Sequence, residues 1–322
     1  MATTATGLKN PLRNISRESK QLLSTFSGLF VIGIIFSILS PYFFSVNHLL
    51  TVATQTAIIA IIAIGQTYVM ITTGIDLSIG SNIALSGMVA GMTMAAGYPL
   101  AVCITLALLS GCLVGLLNGL MVAYGKIPPF IATLGTMTAI RGVSLTLTQG
   151  IPISGLPKQF TVMGTGTLAG IPIPVILMVV LTVIFGFVLA KTKLGRHVYA
   201  TGSNVDAARL SGIDTKAVLI KVYMISGFLA AFAGLIMAAR IISAQPSAGD
   251  GYELDAVASS VIGGTSTLGG EGLIGGTFIG AFIIGILRNG LNLVGVSPFI
   301  QKIIIGVVIV GSVFVDRIKR KD

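Results

Sequence analysis

The chain is poor in charge. Only 9% of its 322 residues are Asp, Glu, Lys or Arg, and 54% are hydrophobic, whereas a soluble domain carries roughly a quarter charged residues. An ordinary soluble globular protein is excluded. Ten-residue stretches of alternating polarity are also missing, which excludes a membrane β-barrel. Cysteine is scarce: Cys103 and Cys112 lie in one apolar run, on opposite faces of a helix, and cannot pair within it. His48 and His197 are far apart, with no Cys or carboxylate spacing around them that would make a metal site. Catalytic motifs are missing too. There is no H-E-x-x-H and no G-x-S-x-G, and Gly125-Lys126 is followed by Ile127 with no glycine five positions earlier, so no phosphate-binding loop exists. The chain reads as a non-enzyme that cannot hydrolyse ATP by itself, with no cofactor of its own.

What is present is a succession of apolar segments near 27–45, 50–71, 76–96, 99–123, 128–148, 173–190, 217–240, 254–268, 271–292 and 297–315. Runs of this length mark membrane-spanning helices, because in lipid every backbone group must be satisfied within the segment. The expected fold is an all-α polytopic membrane protein of about ten helices. Prolines 99, 128, 129, 174 and 298 fall at segment starts, where a missing N–H costs nothing, and Ser297-Pro298 reads as a cap followed by the first helical position.

The net charge of +10 could suggest nucleic acid, but no aromatic-basic surface pattern accompanies it and the cations flank apolar segments. Threading the segments with the N-terminus inside places fifteen of the twenty Lys and Arg in the cytoplasm, among them Lys9, Arg13, Arg17, Lys20, Arg317, Lys319, Arg320 and Lys321. Five (Arg141, Lys158, Arg240, Arg288 and Lys302) fall outside or in the outer half of a helix. The positive-inside rule therefore puts both termini in the cytoplasm of a bacterial plasma membrane. No cleavage site precedes polar sequence, so the first apolar run is expected to be an uncleaved helix rather than a signal peptide. The seven tyrosines all fall near segment ends, as interfacial residues do. The expected layout is a tail over 1–26, a transmembrane region over 27–316 and a tail over 317–322.

Segment four carries Gly111, Gly115 and Gly119, and segment nine Gly272, Gly276 and Gly280. Each is a doubled G-x-x-x-G, which lets two helices approach closely. The two are five segments apart, so the reading is a pair of inverted five-helix repeats, 27–148 and 173–315. Segments three and eight mix Gly, Ser, Thr and an acid into apolar sequence, as TTGIDLSIGSNIALSG (72–87) and SSVIGGTSTLGGEGLIGG (259–276). Such paired interruptions point to broken helices beside a cavity. Asp76 is either an acid at membrane depth or the cap of segment three at the cytoplasmic face, with the second favoured by position. Between the repeats, SNVDAARLSGID (203–214) is a polar helix with full punctuation. Ser203 or Asn204 serves as cap, Asp206 sits in the first turn, Arg209 near the end, and Gly212 gives the left-handed stop.

The stretches GIDLSIGS (74–81), FIATLGTM (130–137), LGRHVYATGSNVDAARLSGI (194–213), SAQPSAGDGYELDAVASSVIGGTS (243–266) and NGLNLVGV (289–296) resemble the permeases of bacterial ABC sugar importers of the ribose type, over nearly the whole chain. The resemblance implies a type II permease, similar to the vitamin-B12 importer. A second copy would complete the pathway, a cytoplasmic ATPase would bind ATP and Mg, and an extracytoplasmic binding protein would deliver a monosaccharide. Ribose is the first expectation, with allose, galactose, xylose, inositol or autoinducer-2 as alternatives. A stand-alone secondary transporter remains a rival reading. The resemblance also makes 191–216 the coupling loop, with Ser203, Asn204, Asp206, Ala207, Ala208, Arg209, Leu210, Ser211 and Gly212 resting on the ATPase, Ala207 and Ala208 by their small size.

A neutral sugar calls for amides and hydroxyls, so the candidates for lining the pathway are Gln66, Asp76, Ser78, Asn82, Thr265, Ser266 and Asn292. Taken singly, each is favoured as a helix–helix hydrogen bond over a sugar contact. Lys158, Asp250 and Glu253 are candidates for docking the binding protein, or else loop-solvating residues.

Overall fold

The computed structural model describes residues 17–319. Residues 1–16 and 320–322, with Lys9, Arg13, Arg320 and Lys321 of the charge map and most of the first tail, lie outside the described residues. So do the side chains of Arg17, Lys20, Arg317 and Lys319.

The described chain is helical: α1 Arg17–Leu39, α2 Val46–Ile71, α3 Ile79–Ala95, α4 Leu100–Ala123, α5 Pro129–Leu147, α6 Lys158–Thr165, α7 Ile173–Lys191, α8 Lys193–Ser203, α9 Val205–Leu210, α10 Thr215–Ile241, α11 Tyr252–Ile262, α12 Ile274–Leu293 and α13 Pro298–Lys319. Two antiparallel pairs of two-residue strands accompany them, β1 Ile153–Ser154 with β4 Ser243–Ala244 and β2 Thr167–Leu168 with β3 Ile171–Pro172. Six helices (α2, α4, α5, α7, α10 and α12) are long and apolar enough to cross a bilayer, and α1, α3 and α13 hold shorter apolar stretches. This is a polytopic α-helical membrane protein. The prolines act as the sequence suggests: Pro99 and Pro128 precede α4 and α5, and Pro129, Pro174 and Pro298 sit in the first turns of α5, α7 and α13.

Packing follows from the absence of a hydrophobic drive between helices in lipid. Large apolar side chains point outward, such as Val183 and Phe187 on α7 and Val310 on α13. The middle is built from small residues around α10 and α2. Gly111, Gly115 and Gly119 of α4 lie against α10, where an added Cβ would run into the backbone or side chains of Gly227, Ala231, Tyr223 and Ile220. Asn82 closes this seam by donating its amide to the carbonyls of Gly227 (3.2 Å) and Gly111 (3.4 Å). The second glycine run behaves the same way: Gly276 and Gly280 of α12 press on the α11 end at Gly263 and Ser259.

Some elements lie outside the apolar segments, and one expectation changes. The 149–172 region holds the helix α6 and strands β1 to β3, and a further helix, α8, leads into the 203–213 stretch. The tyrosines divide: Tyr42, Tyr98 and Tyr124 are exposed at helix ends, but Tyr68 and Tyr223 are buried. Tyr68 donates to the Phe185 carbonyl at 2.6 Å, so its hydroxyl is spent on joining α2 to α7.

Candidate functional site

At one end of the bundle, α8 and α9 form a polar hairpin. Thr192 Oγ1 caps α8 by accepting from Gly195 N, and Asn204 Oδ1 caps α9 by accepting from Ala207 N at 2.9 Å. Of the two proposed caps, Asn204 fills the role for α9, while Ser203 ends α8. Gly212 has φ +81° and Ile213 N donates back to the Ala208 carbonyl, a closure that needs the left-handed residue. Asp206 and Arg209 face each other at 3.8 Å on the open surface. Leu210 is 90% exposed. Ser211 is exposed and returns its hydroxyl to the Ala207 carbonyl. Ala207 also points outward, but Ala208 is buried against its own chain. The expectation that Ala208 presses on a partner is thus corrected: its small side chain is needed for packing inside the permease, one helical step away from the open face.

The hairpin is tied to the interior. Tyr199 donates to the Gly272 carbonyl at 2.6 Å. A Cβ at Gly202 would overlap the Ile71 carbonyl, and Gly270 N donates to that same carbonyl at 2.8 Å. The stretch 263–273, between α11 and α12, therefore lies beneath the hairpin, in contact with the end of α2.

The deepest polar cluster gathers on Asp76, which is 1% exposed. Its carboxyl accepts from Ser78 N (3.0 Å), Ser78 Oγ (2.6 Å) and Ser226 Oγ (2.7 Å). Gln66 Oε1 accepts from Asp76 N at 3.3 Å, and Asn118 donates to Ser78 Oγ at 2.8 Å. Ser226 is the twelfth of 27 residues in α10, so Asp76 lies near the middle of the bundle. The favoured reading of Asp76 as a surface cap is overturned. Residues 72–78 climb back into the interior before α3 begins, and the carboxyl is held by hydroxyls and an amide there.

The remaining pathway candidates separate by burial. Gln66, Ser78, Asn82, Thr265 and Ser266 are all buried at 1% exposure or less. Ser266 Oγ accepts from Leu268 N and its N–H donates to the Glu271 carbonyl, shaping the 263–273 turn. In this conformation Gln66, Ser78, Asn82 and Ser266 hold helices and turns together, and none of the five side chains faces an open channel. Asn292 is exposed, with Oδ1 accepting from Gln301 at 2.7 Å. Lys158 is exposed at the start of α6, at the strand end of the bundle. Asp250 is exposed and Glu253 half-buried, but neither lies in an outer loop. The carboxyl of Glu253 and the carbonyl of Gly249 abut Gly80, at the start of α3. Asp255, buried, pairs with Arg288 of α12 at 2.7 Å.

Residues 48–313 match the family model described as the permease component of branched-chain amino acid transport systems. The chain belongs to that permease family. It is 48% identical to the ribose import permease protein RbsC of Bacillus subtilis (93% of this chain, 94% of that protein). It is 44% identical to RbsC of Haemophilus influenzae (91% and 92%) and 38% identical to the D-allose transport system permease protein AlsC of Escherichia coli (92% of each). No solved structure matches this chain.

Three features of this permease escaped the sequence. Arg141, half-buried on α5, donates to the carbonyls of Pro246 (3.1 Å) and Ala248 (2.7 Å) and fixes the 245–251 segment. Tyr199 looked like one more interfacial tyrosine until its bond to the 263–273 turn was visible. Ser226 carried no mark at all, being one small residue in a long apolar helix. The glycines Gly249 and Gly251 flanking Asp250 were the available hint that the 245–251 segment turns sharply, and both take positive φ.

Proposed function

We propose that this chain is the membrane permease subunit of an ATP-binding-cassette importer and that its cargo is ribose. The observation that carries the reading is the likeness to ribose import permeases along more than nine-tenths of the chain, at 44–48% identity. The family description names amino acids, whereas these relatives' names all specify sugars, and allose and xylose permeases follow at lower identity. Ribose is therefore the first substrate, and a related sugar the second reading.

In this reading two copies enclose the pathway, and each is built from ten membrane segments in two inverted halves. The packing supports the halves: α3 and α4 lie on α10, and correspondingly α11 and α12 lie on α2. Both termini and the α8–α9 hairpin face the cytoplasm, which follows from the cation bias. The hairpin seats in the partner ATPase, which binds ATP and Mg. Leu210 is the anchor, since a leucine so exposed at the tip of a polar helix needs a partner surface, and Arg209 and Asp206 flank it. The strand end faces outward, and Lys158 on α6 is a docking contact for the sugar-binding protein.

Reconstitution in vesicles tests this. Ribose uptake is expected only when the ATPase, the binding protein and ATP are all supplied, with allose and xylose as weaker competitors. Uptake driven by an ion gradient with the permease alone would establish a secondary transporter instead.

A further inference from the structure

The helices α3 and α10 run side by side in the same direction, with Gly234 beside Ile83 and Ser86, and Ala238 beside Gly87, and this gives a depth scale. Further along, Gly91 meets Ala244 and Ile153, where β4 pairs with β1. Five residues after Ala244, however, Gly249 is back at the first turn of α3, against Gly80 and Ile83. Gly91 and Gly80 are eleven residues apart on α3, about 16 Å at 1.5 Å per residue. The 245–251 segment thus drops from the strand end to the middle of the bundle. A second marker agrees: Asn82, two residues beyond Gly80, bonds to Gly227 at the middle of α10.

Irregular backbone at that depth is tolerated where it is buried in protein or lines water. One side of this segment is buried. Pro246 and Gly249 are covered, Arg141 holds two carbonyls, and Glu253 accepts from Gly251 N. The other side is not, and there Gln245, Ser247 and Asp250 are exposed in succession down the descent. An exposed carboxylate at the middle of the bilayer cannot face acyl chains.

Resting on the importer reading, we propose that Gln245, Ser247 and Asp250 form the polar wall of the translocation pathway, a descending track that contacts the neutral, polyhydroxylated sugar. The chemistry suits that cargo. An amide, a hydroxyl and a carboxylate accept and donate to vicinal hydroxyls, and their placement at successive positions of a turned segment, closed by Ala248 N donating to the Gln245 carbonyl, offers successive sites rather than one tight cage. Of the cations near the track, Arg141 is committed to backbone carbonyls and Arg288 to Asp255. The second copy supplies the same track from the opposite side, and the sugar passes between them.

The test uses the full chain with Cys103 and Cys112 replaced by serine and single cysteines placed at 245, 247 or 250. Outward-facing Ile38 and Val183 serve as lipid controls. A membrane-impermeant, charged methanethiosulfonate is expected to modify Ser247→Cys and Asp250→Cys at least about tenfold faster than the two lipid controls, because thiols react from water. Equal rates at 247, 250 and the controls would overturn the track. In the assembled importer, Asp250→Asn and Ser247→Ala are expected to lower ribose uptake at limiting sugar by about tenfold or more, the scale of a lost hydrogen bond to a charged or hydroxyl group. Wild-type uptake in both variants would remove sugar contact from the wall. An importer whose wild-type permease moves no sugar at all fails the importer reading itself. The two failures are distinct, because the labelling rates do not depend on transport.

Discussion

Two interruptions of the helical bundle, 72–78 and 263–273, solve the same problem by different means. Both leave backbone groups unpaired inside a membrane protein, where each unanswered group is costly. The first is answered by side chains from several helices: Gln66 of α2, Asn118 of α4 through Ser78, Thr133 of α5, which donates to the Ile75 carbonyl at 2.9 Å, and Ser226 of α10. The second is answered mainly by backbone. Gly264, Gly269 and Gly270 take positive φ, Gly270 N bonds to Ile71, and the Tyr199 hydroxyl arrives from the hairpin. The lesson is one of mobility. A turn knotted by buried side chains is fixed, whereas a glycine turn held from the hairpin can follow whatever moves the hairpin.

Breaking the first turn should do the most damage. Asp76→Ala leaves two hydroxyls and an N–H without their acceptor at the middle of the bundle, and a loss on the order of 3 kcal/mol or more is expected. It would be read as a fall in folded protein extracted from the membrane. Asp76→Asn keeps the shape and one accepting oxygen, and should be milder. If alanine and asparagine were both neutral, the knot would not be holding the turn.

The second turn should respond in function more than in stability. Gly202→Ala drives a methyl into the Ile71 carbonyl and is expected to cost about 1–3 kcal/mol, with ATP-driven uptake lost while the ATPase still binds. Tyr199→Phe removes one hydrogen bond, about 1 kcal/mol, and uptake per ATP hydrolysed should drop further than the melting temperature suggests. Unchanged coupling in both variants would mean that the hairpin does not drive the turn. Leu210→Ala sits outside both turns. It should leave the melting temperature of the permease unchanged while weakening ATPase binding by about tenfold, which separates docking from transmission.

The sequence made the spans legible because apolar length and terminal prolines are local properties. The helices α2, α4, α5, α7 and α10 begin and end within a few residues of where those signals place them. The α9 cap and stop were legible for the same reason, since Asn204 and Gly212 act on their own helix. Depth was not. Asp76 and Asp250 each follow or precede an apolar run, and a chain that turns back into the bundle looks, residue by residue, like one that leaves it. Nor could position distinguish Ala207 from Ala208, because the inward face of so short a helix is set by α8 and α10, which it packs against. The pathway candidates had the right chemistry, but polar residues serve equally as bonds between elements, and Gln66, Asp76, Ser78 and Asn82 do so here.

The glycine seam between α4 and α10 has a practical consequence for handling the protein. Where Gly111, Gly115 and Gly119 meet Gly227, Tyr223 and Ile220, backbone approaches backbone, and the gap is too narrow to admit an acyl chain or a detergent tail. That joint should survive extraction in harsh surfactants that strip the annular lipids. The periphery is different, because α1 and α13 offer broad apolar faces such as Ile38, Phe299 and Val307 to whatever solvates them. Delipidation should therefore fray the molecule from these two end helices inward, and the choice of lipid in a purification is a choice about α1 and α13, not about the core.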